Sequence, residues 1–148
     1  MIWKPNVTVA AVVEDNGRFL LVEENTDEGA LFNQPAGHLE ENESLLQGVT
    51  RETLEETAYH FKPEHLLGIY SWHHPGKNIT YLRFTFTGRT TGFDSRRMLD
   101  QGIIRALWLT SDEIRASREQ HRSPLVWRCV QDYLAGKRYP LDTITHFL

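Results

Sequence analysis

Cysteine is almost missing from these 148 residues: Cys129 stands alone. One thiol cannot close an internal disulfide, so no disulfide framework is available, and the usage suits a reducing compartment. Long apolar runs are missing too. No stretch approaches the roughly 20 apolar residues that a membrane helix needs, and the opening "MIWKPNVTV" lacks a signal-peptide pattern. The expectation is a soluble, cytoplasmic protein without a membrane partner. Excess positive charge is also lacking, since 16 Lys and Arg against 20 Asp and Glu leave a formal net charge of -4. No broad basic field exists to hold nucleic acid, which disfavours a nucleic-acid-bound regulator. An anionic ligand would have to be neutralised locally, by a metal or by a few Arg and Lys side chains.

What is present is an ordinary globular balance, 40% apolar and 24% charged, enough for one compact domain over residues 1–148. "VTVAAVV" (Val7–Val13) reads as a strand buried on both faces. "EDNGR" is a turn, and "FLLVEE" (Phe19–Glu24) its antiparallel return. "NTDEGALFN" reads as a loop. "EHLLGIYSW" (Glu64–Trp72), "ITYLRFTFTG" (Ile79–Gly88) and "IRALWLT" (Ile104–Thr110) read as strands, and "TTGFDSRRMLDQGI" as irregular chain. "SDEIRAS" predicts a short capped helix. "SPLVWRCVQDYLAGKR" predicts another, with Ser123 as N-cap, Pro124 at its first position and Gly136 closing it. Cys129 falls on its apolar side. Irregular alternation of strands and helices predicts an α+β fold, a mixed sheet with helices packed on it.

The most informative segment is "QPAGHLEENESLLQGVTRETLEETAY", Gln34–Tyr59. A helix over about Ser44–Ala58, with Leu45 set at 0°, puts Leu45, Leu46, Val49 and Thr53 on an apolar stripe. Glu52, Glu55 and Glu56 fall at about 340°, 280° and 20°, bordering that stripe. Unpaired charge pointed at a core is costly. Acids near a helix C-terminus also oppose the macrodipole, and like charges three or four residues apart repel. A divalent cation resolves all three problems. Oxygen donors suit Mg²⁺, Mn²⁺ or Ca²⁺ rather than zinc. Glu43 could occupy the N-cap or first turn, and Arg51 could hold a carboxylate in place, unless both are plain surface charges. Gly37 permits close backbone approach, so a carbonyl of that loop could join the carboxylates.

These residues resemble the signature of the Nudix family: Gly, five residues, Glu, seven residues, then Arg-Glu-aliphatic-any-Glu-Glu-any-Gly-aliphatic. Gly37, Glu43, Arg51, Glu52, Glu55 and Glu56 match it, while Thr53, Ala58 and Tyr59 depart from it. The resemblance implies an α/β/α sandwich and an enzyme, a phosphohydrolase acting on acid anhydrides. It implies Glu52, Glu55 and Glu56 as Mg²⁺ ligands (Mn²⁺ being possible), with the carbonyl at Ala36 or Gly37 assisting. "KPNVTVAAVV", "NQPAGHLE", "LRF" and "RSPLV…RYPL" are similar to a bacterial branch of small monomeric phosphatases. Their substrates are nucleoside tri- and diphosphates and the thiamin-precursor pyrimidine pyrophosphate. The alternative is a Nudix module that binds a nucleotide without turning it over, although such a binder has no need of clustered glutamates.

Within that frame Glu55 is the favoured metal ligand or base, and Asp100 the distal candidate for the base. Arg83, which interrupts "YLRFTF", is the first choice for phosphate, with Lys77 a further one. Trp72, His73 and Tyr81 are candidates for stacking on a substrate ring. His38 could contact substrate, and Phe32 could line the entrance. The three departures from the signature have no functional reading at this stage.

Overall fold

The computed structural model describes residues 1–147 and is built on seven strands and three α-helices. Strand β1 (Asn6–Asp15) turns at Asn16 and Gly17, whose φ angles of 51° and 80° suit the tight hairpin turn, into β2 (Arg18–Thr26). Strand β3 (Gly29–Asn33) returns along β2, lying in the segment whose turn residues suggest a loop. Gly29 and Ala30 carry little intrinsic strand preference. Pairing with Asn25 and Thr26 of β2 supplies what the local sequence lacks. A three-residue strand, β4 (Ala36–His38), then pairs antiparallel with β1.

Helix α1 (Leu45–Thr57) follows. Ser44 is its N-cap, in a reciprocal capping box with Gln47, so Glu43 occupies neither the cap nor the first turn as expected. Strands β5 (Tyr59–His74) and β6 (Ile79–Phe93) form one long antiparallel hairpin, both extending beyond the expected segments. Residues Thr90–Phe93, expected as irregular chain, belong to β6. Pro63 cannot donate to a ladder, which hides this part of β5 in the sequence; the register shifts between Pro63 and His65 accommodate it. Strand β6 also runs parallel to β1, which makes the sheet mixed, and β7 (Ile103–Thr110) flanks β2.

Helix α2 (Ser111–Ala116) is capped by Thr110 and Glu113. Helix α3 (Leu125–Leu134) starts one residue later than expected, with Pro124 at the cap position in place of Ser123, whose hydroxyl still accepts from Leu125 N–H. Gly136, at φ 83°, ends it, with Gly136 and Lys137 N–H returning to Tyr133 and Asp132 carbonyls. Beyond it, Tyr139 exchanges backbone bonds with Leu66, and Leu141 and Ile144 pack on the core.

Alternation along the strands feeds two cores on opposite faces of the sheet. Val9, Ala11, Val13 and Phe86 pack with Val49 of α1. Val12, Leu21 and Leu67 pack with Ile114 of α2 and Cys129 and Val130 of α3. This is the expected α+β fold, an α/β/α sandwich. Among the described residues no helix is long and apolar enough to cross a membrane.

The departures from the family signature are structural. Thr53 is fully buried, and its hydroxyl donates to the Val49 carbonyl at 2.8 Å. Ala58 takes the left-handed turn that ends α1, at φ 65°, where glycine would be unstrained. Tyr59 packs against Phe93 and edge-on to Trp108, whose indole N–H donates to its hydroxyl at 3.3 Å.

Candidate active site

A cleft of about 730 Å³ opens between α1, β4, the β5–β6 hairpin and the start of α3. Its acidic end is built by α1. Helical spacing turns Glu52 and Glu56 inward, both buried at 8% exposure, and leaves Glu55 half-buried beside them. Glu52 seats its carboxylate directly over Gly37, where any Cβ would overlap it. Gly37 is therefore fixed by a close approach, the kind of constraint expected of it, although the group approaching is a carboxylate. Glu56 reaches one layer deeper, where Ala36 N–H donates to its Oε1 at 2.9 Å.

Asp100 completes the group. Its backbone N–H donates to the Glu55 carbonyl at 3.0 Å, which fastens the loop after β6 to the end of α1. One carboxylate oxygen each from Glu52, Glu55 and Asp100 then lie within 4.8 Å of one another. Burial pushes Glu52 and Glu55 above the usual carboxylate range, with Asp100 adding repulsion at Glu55. Burial, with Glu24 and Glu52 nearby, pushes Glu56 up to about 9 against the opposing pull of Ala36 N–H. The acidic end is short of positive charge.

Arg51 supplies part of it. Its Nε donates to Glu43 Oε2 at 2.6 Å, and its Nη1 to Glu52 Oε1 at 2.8 Å and Glu55 Oε2 at 3.3 Å. The Nη2 donates to the His38 carbonyl at 3.1 Å, and Glu40 lies 3.1 Å from Nε. Glu43 and Arg51 are thus partners, and the arginine orients the carboxylates of α1. The Arg51 bond holds Glu43 below its usual range, against the cost of burial. The bond to Glu43 likewise holds Arg51 firmly protonated.

Arg83 sits farther along the cleft in different surroundings. It is 5% exposed, so it is not on the surface, and among the described residues it meets no acid. Its Nη2 donates to Asn33 Oδ1 at 2.8 Å and its Nη1 to Gln34 Oε1 at 3.0 Å. The aromatic wall stands on the hairpin. Trp72 and Tyr81 are cross-strand partners with rings 5.9 Å apart and 19° from parallel. His74 lies 5.1 Å from Trp72, and His38 lies 6.5 Å from Tyr81. Lys77, in the hairpin turn, lines the same cleft.

Two sequence candidates fall elsewhere. The His73 ring bonds Thr80 and points away from Trp72, because adjacent strand residues face opposite ways. Phe32 packs in the core beneath α3, and Leu31 lines the cleft in its place. Sequence reasoning passed over Glu24, His74, Arg122, Asn33 and Gln34. The alternation that excludes His73 would have selected His74. Glu24 continues the inward series Leu20 and Val22, and an acid at such a position is itself a signal; it pairs with Arg122. Nothing local marked Asn33 and Gln34.

Residues 3–128 match the NUDIX domain family. The chain is 40% identical to the phosphatase NudJ of Escherichia coli K12 over 146 residues, covering 99% of this chain and 94% of that protein. It is similar to a solved NUDIX hydrolase from Nitrosomonas europaea, with 54% identity and a TM-score of 0.95 over 97% of this chain and 98% of that one. The NUDIX domain of Shewanella oneidensis NrtR, complexed with ADP ribose, superposes with a TM-score of 0.73 over 91% of this chain and 90% of that one. At 18% identity this is a likeness of fold alone.

Proposed function

This chain belongs to the Nudix family and is a Nudix phosphohydrolase; from that premise we propose that it cleaves a phosphoanhydride bond of a small molecule with the help of Mg²⁺. The substrates in this reading are nucleoside tri- and diphosphates or a small pyrophosphate such as the thiamin-precursor pyrimidine pyrophosphate. One observation carries it: an all-oxygen acidic group and a buried arginine whose partners among the described residues are neutral open into one cleft.

The donor chemistry fits the ion. Every donor is an oxygen, as Mg²⁺ or Mn²⁺ prefers. Gly37 leaves room for the Glu52 carboxylate, and burial keeps the acids short of positive charge. Glu52 and Glu55, with Glu56 and the Gly37 carbonyl, are the residues that would hold it; the exposed Asp100, and not Glu56, is the third member of the acidic group that the structure brings together. When bound, the ion draws electron density from phosphate oxygens and offsets the charge that develops as the P–O bond breaks.

The side chains do the rest. Arg83 binds a phosphate oxygen and orients the phosphorus toward the acidic end, with Lys77 at the rim. Trp72 and Tyr81 stack on the substrate ring, and His38 borders it. Water attacks phosphorus, its proton goes to a Glu55 oxygen, and the bridging oxygen departs with the electron pair of the broken bond. Arg51 keeps the carboxylates aimed. The reading takes the chain as a single domain acting as a monomer.

The test is release of phosphate and pyrophosphate from a panel of nucleoside di- and triphosphates and the pyrimidine pyrophosphate, with and without Mg²⁺. The expected result is release that needs the metal. Absence of turnover across the panel, with binding retained, would leave a nucleotide-binding module instead.

A further inference from the structure

We infer that Asn33 and Gln34 are positioning residues that hold Arg83 without neutralising it, so that their amide character sets the affinity of the cleft for phosphate. The inference rests on the reading of Arg83 as a phosphate ligand and extends it to the residues behind it.

The three side chains are all buried: Arg83 at 5%, Asn33 at 8% and Gln34 at 1% exposure. Asn33 ends β3, and Gln34 follows it before β4, so neighbouring residues grip the two terminal nitrogens of one guanidinium. The orientation of Gln34 is fixed from behind. Its Nε2 donates to the Val126 carbonyl at 2.8 Å, in the first turn of α3, which leaves Oε1 facing Arg83. The remaining neighbour is the Cys129 thiol, 3.9 Å from Nη1. Five N–H groups are available on a guanidinium, and the amides occupy one on each terminal nitrogen.

Stability alone does not explain this choice. Removing a cation from water costs several kcal/mol, and a carboxylate partner offsets part of that cost. Aspartate at position 33 would match asparagine in shape and make a stronger, charge-assisted bond. Carboxylates are used for the other arginines of the cleft: Arg122 pairs with Glu24, and Arg51 with Glu40, Glu43, Glu52 and Glu55. At Arg83 the chain uses acceptors that fix geometry and leave the charge in place. An anion entering the cleft then meets an oriented, uncompensated cation, which is where its own desolvation is best repaid.

The probe is methylenediphosphonate, a diphosphate mimic whose bridge cannot be hydrolysed, titrated calorimetrically into the Mg²⁺-loaded full chain. Asn33→Asp keeps the bond to Arg83 and adds a charge, whereas Asn33→Ala removes the bond. The expected result is that Asn33→Asp weakens the probe by about tenfold or more, with an unchanged or raised melting temperature, and rescues nothing that Asn33→Ala loses. If Asn33→Asp binds like the unaltered chain while Asn33→Ala does not, the amide has only a structural role and the inference fails. Arg83→Met separates the levels. Weakened binding in Arg83→Met with normal binding in Asn33→Asp overturns the inference alone. Normal binding in Arg83→Met overturns the reading of Arg83 as well. Should Asn33→Asp not fold, Gln34→Glu is measured against Gln34→Met, since both lose the bond to the Val126 carbonyl and only the first adds a charge; weaker binding in Gln34→Glu is expected, and equal or tighter binding overturns the inference.

Discussion

Arg51, on α1, lies among Glu40, Glu43, Glu52 and Glu55, whereas Arg83, on β6, meets two amide oxygens and a thiol. Both line one cleft. Arg51 is an internal counter-ion: its charge is matched by its neighbours and its planar fork sets their geometry. Arg83 is oriented just as firmly, yet among the described residues no neighbour matches its charge. The difference separates two uses of the same side chain. One arginine keeps a cluster of acids aimed at a metal, and the other remains electrostatically open to a substrate anion.

The comparison can be broken at several points. The largest effect is expected from the acids that Arg51 leaves only partly compensated. Glu52→Gln and Glu56→Gln should each lower kcat by about 10³-fold or more, the scale of several kcal/mol of lost charge stabilisation. Steady-state phosphate release in Mg²⁺ measures it, and full activity in either variant would refute the ligand assignment.

The same shortage of charge gives the metal-free chain a pH dependence. Burial, reinforced by Glu24 and Glu52, raises the Glu56 carboxyl from 4.5 to about 9, despite the Ala36 N–H bond. Its folded form holds the proton more tightly than its unfolded form. Its stabilising contribution is therefore fully present below 4.5 and is lost as pH rises toward 9. Urea midpoints in a chelator at pH 5 and pH 9 should show the unaltered chain falling relative to Glu56→Gln. An identical pH response of the two proteins would contradict the assignment.

Arg51→Met should destabilise the chain by about 2 kcal/mol, because charged hydrogen bonds are lost and part-buried carboxylates remain. Denaturant unfolding reads this directly, and Mg²⁺ should recover part of the loss. The smallest effect is expected at Ala58. Glycine there would relieve the left-handed strain, but it would remove a buried methyl worth about 0.8 kcal/mol. Ala58→Gly should change stability by under about 0.5 kcal/mol, since relief and loss nearly cancel, with catalysis unaffected. A large shift in either quantity would show that the family's glycine has a role this chain has replaced.

The two arginines also mark where the sequence is legible. Arg51 and its glutamates lie on one helix, and a helix has a fixed period. Their angular placement, and the costs that call for a cation, therefore follow from spacing alone. The α+β architecture and the presence of α2 and α3 are equally local, although each N-cap lies one residue from its expected place, at Thr110 and Pro124. Arg83 depends on contacts far along the chain. An arginine inside an apolar strand is conspicuous, but its partners come from the end of β3, from Gln34 just beyond it and from Cys129 of α3. Strand β3 itself reads as a loop because pairing with β2 creates it. Asp100 reaches Glu55 across the fold, through a backbone bond and through carboxylate oxygens that lie within 4.8 Å of each other. His73 and His74 were separable by strand alternation, although the hairpin's full length was not visible past Pro63.

The most direct test of this division is the affinity of the Mg²⁺-loaded chain for methylenediphosphonate when each arginine is replaced by methionine. Arg83→Met should weaken binding by about tenfold or more, the scale of one lost charge-assisted contact, while its melting temperature holds or rises. Arg51→Met, once refolded in Mg²⁺, should lose far less affinity. Normal affinity in Arg83→Met, or an equal loss in the two variants, would contradict the account.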